Sequence, residues 1–261
     1  MSDRDHFRAL AESWSYFGPP LRPSPADTAA LQRAIAPDVA RALVLGVTPE
    51  IRTCTWPPRS TVLSLDHSLG MIRALWPGDR AAIAGDWTAL PLRDGSIDVV
   101  AGDGSCSVLP SKSRLEQLTQ EVARVLRARG RFVTRVFVRA EPAESLATIE
   151  QDLVGGRIGS VHAFKLRMLA SLHGVDCVRL GDVWDAWRKM RGPPADVGIP
   201  RGWSSEEVST LEGYRGLDAR YFFPTLAEFR GLVARDFAEL ECSCGAYELA
   251  DRCPTLVLVR R

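Results

Sequence analysis

Arg41-Ala-Leu-Val-Leu-Gly-Val-Thr-Pro-Glu50 decides how the rest of the chain is read. It is an apolar run of strand length that ends on Gly46 and passes at once into a helix start. Thr48 suits the cap position, and Pro49 suits the first helical turn, where its missing N–H costs nothing. A second apolar run, Ser60-Thr-Val-Leu-Ser-Leu-Asp66, ends on a carboxylate. A weaker third, Arg80-Ala-Ala-Ile-Ala-Gly85, is followed by Asp86-Trp87. A strand–turn–helix followed by acidic residues at successive strand ends is the layout of an α/β sheet that binds a nucleoside at the carboxyl ends of its strands.

Downstream, Ser96-Ile-Asp-Val-Val-Ala101 reads as a fourth strand and Gly130-Arg-Phe-Val-Thr-Arg-Val-Phe-Val138 as a fifth. Between them Leu115, Leu118, Val122, Val125 and Leu126 trace one helical face that Gly130 is expected to close. Strands alternating with helices argue for a parallel sheet covered on both faces. From about 142 to 224 the pattern becomes helices and loops without a clear strand, with a loop at Arg191-Gly-Pro-Pro-Ala195 and a capping signal at Ser204-Ser-Glu-Glu207. A sheet-covering helix resumes at Pro224, and two strands, Phe237–Cys242 and Thr255–Arg260, end the chain as an antiparallel hairpin. At the other end Phe7, Leu10, Trp14 and Phe17 recur at helical spacing before Gly18-Pro-Pro-Leu-Arg-Pro23 breaks the helix. Ser24-Pro-Ala-Asp27 restarts it. This leader either lies over the open end of the sheet or packs on an edge.

With 261 residues the chain holds one sizeable α/β domain with an elaboration, or two small ones. The 33 basic and 32 acidic residues leave a net charge of +1, which gives no strong pull toward nucleic acid or a membrane surface. No apolar run is long enough to span a bilayer. The start, Met1 to Phe7, lacks a signal-peptide apolar core, so a cytoplasmic address is expected. Cys242, Cys244 and Cys253 fall short of a four-ligand zinc site, and the cysteines read as free thiols with no metal.

Several residues stand where chemistry is possible. Gly46 lets the backbone approach a ligand, and the N–H groups after it favour an anionic group. Asp66 can accept from both hydroxyls of a ribose or cap the helix near Ser68. Asp86 can accept from an adenine amino group, with Trp87 beside it. Asp103, just past strand four, is the best-placed general base, or else a turn residue in Gly-Asp-Gly. His162 and His173 read as ordinary surface or core histidines. Tyr221, Phe222 and Phe223 either line an acceptor pocket or pack in the core.

Taken together, Leu43-Val-Leu-Gly-Val-Thr-Pro-Glu50, Leu65-Asp-His-Ser68, Gly85-Asp-Trp-Thr-Ala-Leu-Pro-Leu92, Gly95-Ser-Ile-Asp-Val-Val-Ala-Gly-Asp103 and Leu126-Arg-Ala-Arg-Gly-Arg-Phe-Val133 resemble the class I S-adenosylmethionine-dependent methyltransferases. The resemblance covers about residues 40–140. It implies a Rossmann-like, doubly wound seven-stranded sheet of order 3-2-1-4-5-7-6 with the last strand antiparallel, here with an N-terminal helical leader (1–36) and a helical insertion (142–224) between strands five and six. The core would be 37–141 with 225–261, and the insertion would set acceptor specificity.

The resemblance also implies roles. Gly46, Val47 and Thr48 would hold the methionine part of S-adenosylmethionine, Asp66 the ribose, and His67 and Met71 the faces of the adenine. Asp86 and Trp87 would meet the adenine amino group and ring edge, and Gly102 and Asp103 the sulfonium or the cofactor's amino group. The product would be S-adenosylhomocysteine and the partner a small-molecule methyl acceptor. The chain departs from the family in lacking an acidic residue in strand one and a glycine run after it. An Asn/Asp-Pro-Pro-Tyr tetrapeptide after strand four is absent as well. The alternatives are a non-catalytic methyltransferase-like binding or sensor domain and a nicotinamide-dependent oxidoreductase, although the Gly-x-Gly-x-x-Gly of the latter is missing.

Overall fold

A computed structural model describes residue 7 and residues 10–78, 81–191 and 202–261. In chain order it contains α1 (Pro25–Ala34), β1 (Arg41–Leu45), α2 (Pro49–Arg52), β2 (Thr61–Asp66), α3 (Leu69–Leu75), β3 (Ala82–Ala84), β4 (Ile97–Asp103), α4 (Lys112–Val125) and β5 (Leu126–Arg135). There follow α5 (Leu146–Val154), α6 (Val161–Ser171), β6 (Val178–Arg179), α7 (Leu180–Arg191), α8 (Ser205–Glu212), β7 (Arg220–Tyr221), α9 (Leu226–Val233), β8 (Phe237–Ser243) and β9 (Thr255–Arg260).

Seven of the strands make one sheet of order β3-β2-β1-β4-β5-β9-β8. The first five run parallel, and β9 is antiparallel to both of its neighbours. This is the expected order, with β8 and β9 as the sixth and seventh strands of the sheet. The continuous apolar run of β1 is explained by burial on both faces: Ala42 to Leu45 are at most 1% exposed. On one face α4 packs Leu115, Leu118 and Val122, which join Phe132 and Phe229 in a shared core. The other face is covered by Leu31 and Ala34 of α1, Ile51 of α2 and Met71 of α3. The insertion has its own core, built around Phe164, Trp187, Leu211 and Phe223.

Strand register is what positions the site. Leu45 pairs with Leu65 on one side and Gly102 on the other, and Asp66 pairs with Ala84. Parallel pairing without offset brings Gly46, Asp66, Gly85 and Asp103 onto one edge of the sheet, at the carboxyl ends of four adjacent strands.

The structure corrects some boundaries. The helix α4 ends at Val125, not at Gly130, and β5 begins immediately at Leu126. The glycine serves a bulge instead: the pairing jumps from Ile97↔Leu126 to Val99↔Arg131. A Cβ on Gly130 would stand 2.9 Å from the Arg127 carbonyl and 3.1 Å from that of Asp98, so only glycine fits. The strand then stops at Arg135, because the N–H groups of Val136 and Val138 turn to the Pro254 and Arg252 carbonyls. In the insertion, expected to hold no strand, β6 and β7 form a two-residue antiparallel ladder. Arg80, Met1 to His6 and the loop expected after Arg191 lie outside the described residues.

The leader carries a short helical turn at 10–12 and a 3-10 turn at Trp14–Tyr16 before α1. Ser24 and Asp27 cap α1 reciprocally, each side chain accepting the other's backbone N–H. Among the described residues no helix is long and apolar enough to cross a membrane.

Candidate functional site

A cavity of about 530 Å³ opens at the carboxyl edge of the sheet. Its floor is made by the tips of β1, β2, β3 and β4, and its roof by the leader and the insertion. Gly46 turns the chain at φ +94°, a left-handed conformation that favours glycine, while its N–H donates to the Leu65 carbonyl at 2.8 Å. A Cβ there would point between the Trp87 ring at 3.6 Å and Asp66 Oδ2 at 3.8 Å. Val47 and Thr48 follow along the wall. Thr48 occupies the cap position of α2, but its side chain makes no capping hydrogen bond, contrary to expectation.

Asp66 is 5% exposed and lines the cavity. Its Oδ1 accepts the Ser68 N–H at 2.8 Å and lies 3.6 Å from His67 Nδ1. The cap of α3 is Ser68, not Asp66, since Ser68 Oγ accepts the Met71 N–H. Oδ2 takes no hydrogen bond from the described residues, which leaves an acceptor open toward the cavity. Burial pushes this carboxyl up, while the Ser68 N–H and His67 pull the other way. His67 is exposed and meets Phe7 edge-on at 4.5 Å, and Met71 lies buried in the wall.

Asp86 is already well supplied. Its Oδ1 accepts from the N–H and hydroxyl of Thr88, both at 2.8 Å, and its Oδ2 meets Arg114 at 2.6 Å. Partial burial opposes these contacts, but they hold its carboxyl below the ordinary range. Trp87 turns its indole toward Gly46 and donates Nε1–H to the Leu65 carbonyl at 2.6 Å.

Asp103 and Arg135 form a buried fork, with Nε to Oδ1 at 2.5 Å and Nη2 to Oδ2 at 3.2 Å. Their side chains are 6% and 3% exposed. Burial pushes the Asp103 carboxyl up and the guanidinium opposes it; the same contact raises Arg135 and keeps it charged. Arg135 Nη1 also donates to the Pro20 carbonyl at 2.7 Å and meets the Tyr247 hydroxyl at 3.1 Å. One guanidinium thus joins the tip of β4, the leader and the loop before β9. Gly102 lies inside β4, and its neighbours Asp103 and Gly104 line the cavity.

Beyond Asp103 the cavity becomes aromatic. Trp14 and Phe17 come from the leader, Phe137 follows β5, and Tyr214 and Tyr221 come from the insertion. Tyr221 therefore lines the cavity, whereas Phe222 and Phe223 pack in the two cores. The Phe222 N–H donates to the Leu109 carbonyl at 2.7 Å and fixes β7 over the loop after β4. Behind this wall Lys165 is fully buried, its Nζ 4.5 Å from the Phe17 ring centre and 4.4 Å from that of Tyr214. It donates to the carbonyl and hydroxyl of Thr210 at 3.3 and 3.2 Å. Burial pulls its ammonium down to about 7. His162 stacks on Phe17 at 5.5 Å and is pulled down to about 4, first by burial and then by Lys165.

Cys242 and Cys244 are exposed and Cys253 is buried, all as free thiols. Among the described residues no group of three or more His, Cys, Asp or Glu could hold a metal ion.

The residues that sequence reading missed are mostly partners. Arg114 and Arg135 sit on elements whose faces were legible, but nothing in their spacing says which carboxylate each meets. Tyr214 and Arg220 reach the cavity only through the folding of the insertion, which carries no motif. Lys165 offered one signal: it is one of only three lysines, and it stands in the apolar run Val161-His-Ala-Phe-Lys-Leu166.

A family profile described as a methyltransferase domain matches residues 45–134. No curated protein matches the chain. Among solved structures, one from Rhodobacter sphaeroides named as a Zn-dependent alcohol dehydrogenase is 16% identical, with a TM-score of 0.60 over 100% of both chains. A structure from Methanosarcina mazei named as a SAM-dependent methyltransferase is 14% identical, with a TM-score of 0.54 over 92% of this chain and 99% of that one. The N-methyltransferase NodS of Bradyrhizobium japonicum, in complex with S-adenosyl-L-homocysteine, is 10% identical, with a TM-score of 0.51 over 98% of each chain. At these identities the likenesses concern the fold. Residues 45–134 thus match a methyltransferase domain, and they lie in a sheet whose strand order is that of a Rossmann-like methyltransferase fold.

Proposed function

We propose that the chain transfers the methyl group of S-adenosylmethionine to a small-molecule acceptor held in the aromatic half of the cavity. The observation that carries this reading is the open Oδ2 of Asp66, set in line with Gly46 and Asp103 along the edge of one continuous cavity. Asp66 would accept from the ribose hydroxyls, with His67 and Met71 along the adenine. Gly46, Val47 and Thr48 would give backbone to the methionine part, since no side chain stands in the way at Gly46. Asp86 keeps lone pairs for the adenine amino group while Arg114 holds it in place, and Trp87 fills the floor beside Gly46.

The cofactor supplies an electrophilic carbon on a sulfonium, and transfer is an in-line displacement in which the bonding pair stays on sulfur. The residues of the chain orient the two reactants and exclude water. The general-base role expected of Asp103 suits poorly a carboxylate already engaged by a guanidinium on both oxygens. We assign Asp103 a positioning role instead. It presents a fixed negative edge to the cofactor's amino group, in place of the acid missing from β1.

Thermal unfolding with S-adenosylmethionine, S-adenosylhomocysteine and NAD⁺ tests the reading. Binding to the folded state raises the melting temperature with ligand concentration. Stabilisation by the two sulfur cofactors and not by NAD⁺ is expected. Stabilisation by NAD⁺ alone would overturn it.

A further inference from the structure

Resting on the reading above, we infer that the acceptor is a flat, largely apolar molecule carrying an anionic group, and that Arg220 is the residue that selects for that charge. The half of the cavity beyond Asp103 is walled by aromatic and aliphatic side chains, which reward a planar apolar body. Its charges are few. Asp103 is already paired with Arg135, and Arg114, at the adenine side, with Asp86.

Arg220 differs from these. It reaches the cavity from β7, yet its only hydrogen bond among the described residues is a weak one from Nη1 to Cys177 Sγ at 3.7 Å. No carboxylate of the described residues pairs with it. The nearest one in sequence, Asp218, is taken by Arg179 at 3.2 Å. A guanidinium at the rim of an apolar chamber, with its fork unused, matches a carboxylate in both charge and shape. Its placement points to the acceptor and not to the cofactor. The Phe222–Leu109 hydrogen bond sets β7 over the loop after β4, away from the β1, β2 and β3 tips that make the cofactor half.

The test uses the full chain and a panel of one- to three-ring arene carboxylates, each with its primary amide and its aminomethyl analogue. Affinities are measured by calorimetry with S-adenosylhomocysteine present and absent, in the wild type and in Arg220→Gln. At least one acid is expected to bind tenfold or more tightly than its amide, and the amine more weakly still. Arg220→Gln is expected to erase the difference between acid and amide while leaving S-adenosylhomocysteine affinity within twofold of wild type. A panel in which no acid outbinds its amide overturns the proposal, as does an acid preference that survives in Arg220→Gln. Loss of S-adenosylhomocysteine affinity in the variant would also overturn it, by moving Arg220 to the cofactor. If S-adenosylhomocysteine does not bind the wild type, the cofactor reading fails on its own, and the acid–amide comparison without it still decides the role of Arg220.

Discussion

At the scale of single residues the site is a matter of which carboxylate oxygens are already occupied. Asp66, Asp86 and Asp103 look alike in sequence, each at or just beyond a strand end, yet they sit in three different states. Asp66 keeps one oxygen open, Asp86 is held at the surface by Arg114 and Thr88, and Asp103 is locked to Arg135. Asp66→Ala is therefore expected to weaken S-adenosylhomocysteine binding by about 1–3 kcal/mol with the fold intact. Unchanged affinity in calorimetry would reduce Asp66 to the acceptor of the Ser68 N–H. Asp103→Asn is expected to act first on stability, because it leaves a buried guanidinium without its counter-charge. A loss of about 3–5 kcal/mol in urea unfolding follows from that, and a loss below about 1 kcal/mol would mean that water reaches Arg135. The positions of all three carboxylates were legible, because strand ends can be read from apolar runs. Their partners were not, since an arginine reaches its carboxylate through tertiary packing that leaves no periodic mark.

At the scale of elements, the sheet was readable and the insertion was not. Strands buried on both faces announce themselves as unbroken apolar runs, and the β1 turn needed its glycine. The boundary at Gly130 was misread because a glycine after an apolar helical face is the usual helix stop, whereas here it accommodates a bulge against Asp98. The insertion is held by aromatic contacts around Lys165, whose neighbours are Phe17 of the leader, His162 on its own α6, Thr210 on α8 and Tyr214 just after α8. This makes stability depend on pH in a definite direction. The ammonium of Lys165 is pulled to about 7 in the folded chain from an ordinary value of 10.5. Between those values the unfolded chain binds more protons, so stability rises with pH. Lys165→Met is accordingly expected to gain most over wild type below pH 7 and to lose that advantage as pH approaches 10. His162 shifts in the same sense, but its window lies between about 4 and 6.5, so denaturation series above pH 7 isolate the lysine. A stability difference that stays flat from pH 7 to 10 would mean that the two ring faces and Thr210 keep Lys165 charged.

For the whole molecule, the notable arrangement is that the cavity is roofed by two segments far apart in sequence. Phe17 of the leader and Tyr214 of the insertion flank the same amine, and Arg135 ties the Pro20 carbonyl to the sheet. Removal of residues 1–23 is expected to leave the sheet folded, since Leu31 and Ala34 of α1 stay on the face that Ala11 leaves. It should also open the aromatic chamber to solvent. The expected outcome is a folded protein by near-ultraviolet circular dichroism with at least tenfold weaker S-adenosylhomocysteine binding; affinity equal to wild type would show that the leader is no part of the roof. The leader was legible as helix, break and helix, but its landing place was ambiguous in sequence, since an apolar stripe says that a segment packs and not where. The guanidinium that receives Pro20 also receives Tyr247, and Tyr247 lies within hydrogen-bonding distance of Asp27 at 3.4 Å. A ribosome, which works from the amino end, releases Pro20 long before Tyr247 exists. The guanidinium of Arg135 therefore gains its full set of partners only once a segment made early meets one made more than two hundred residues later.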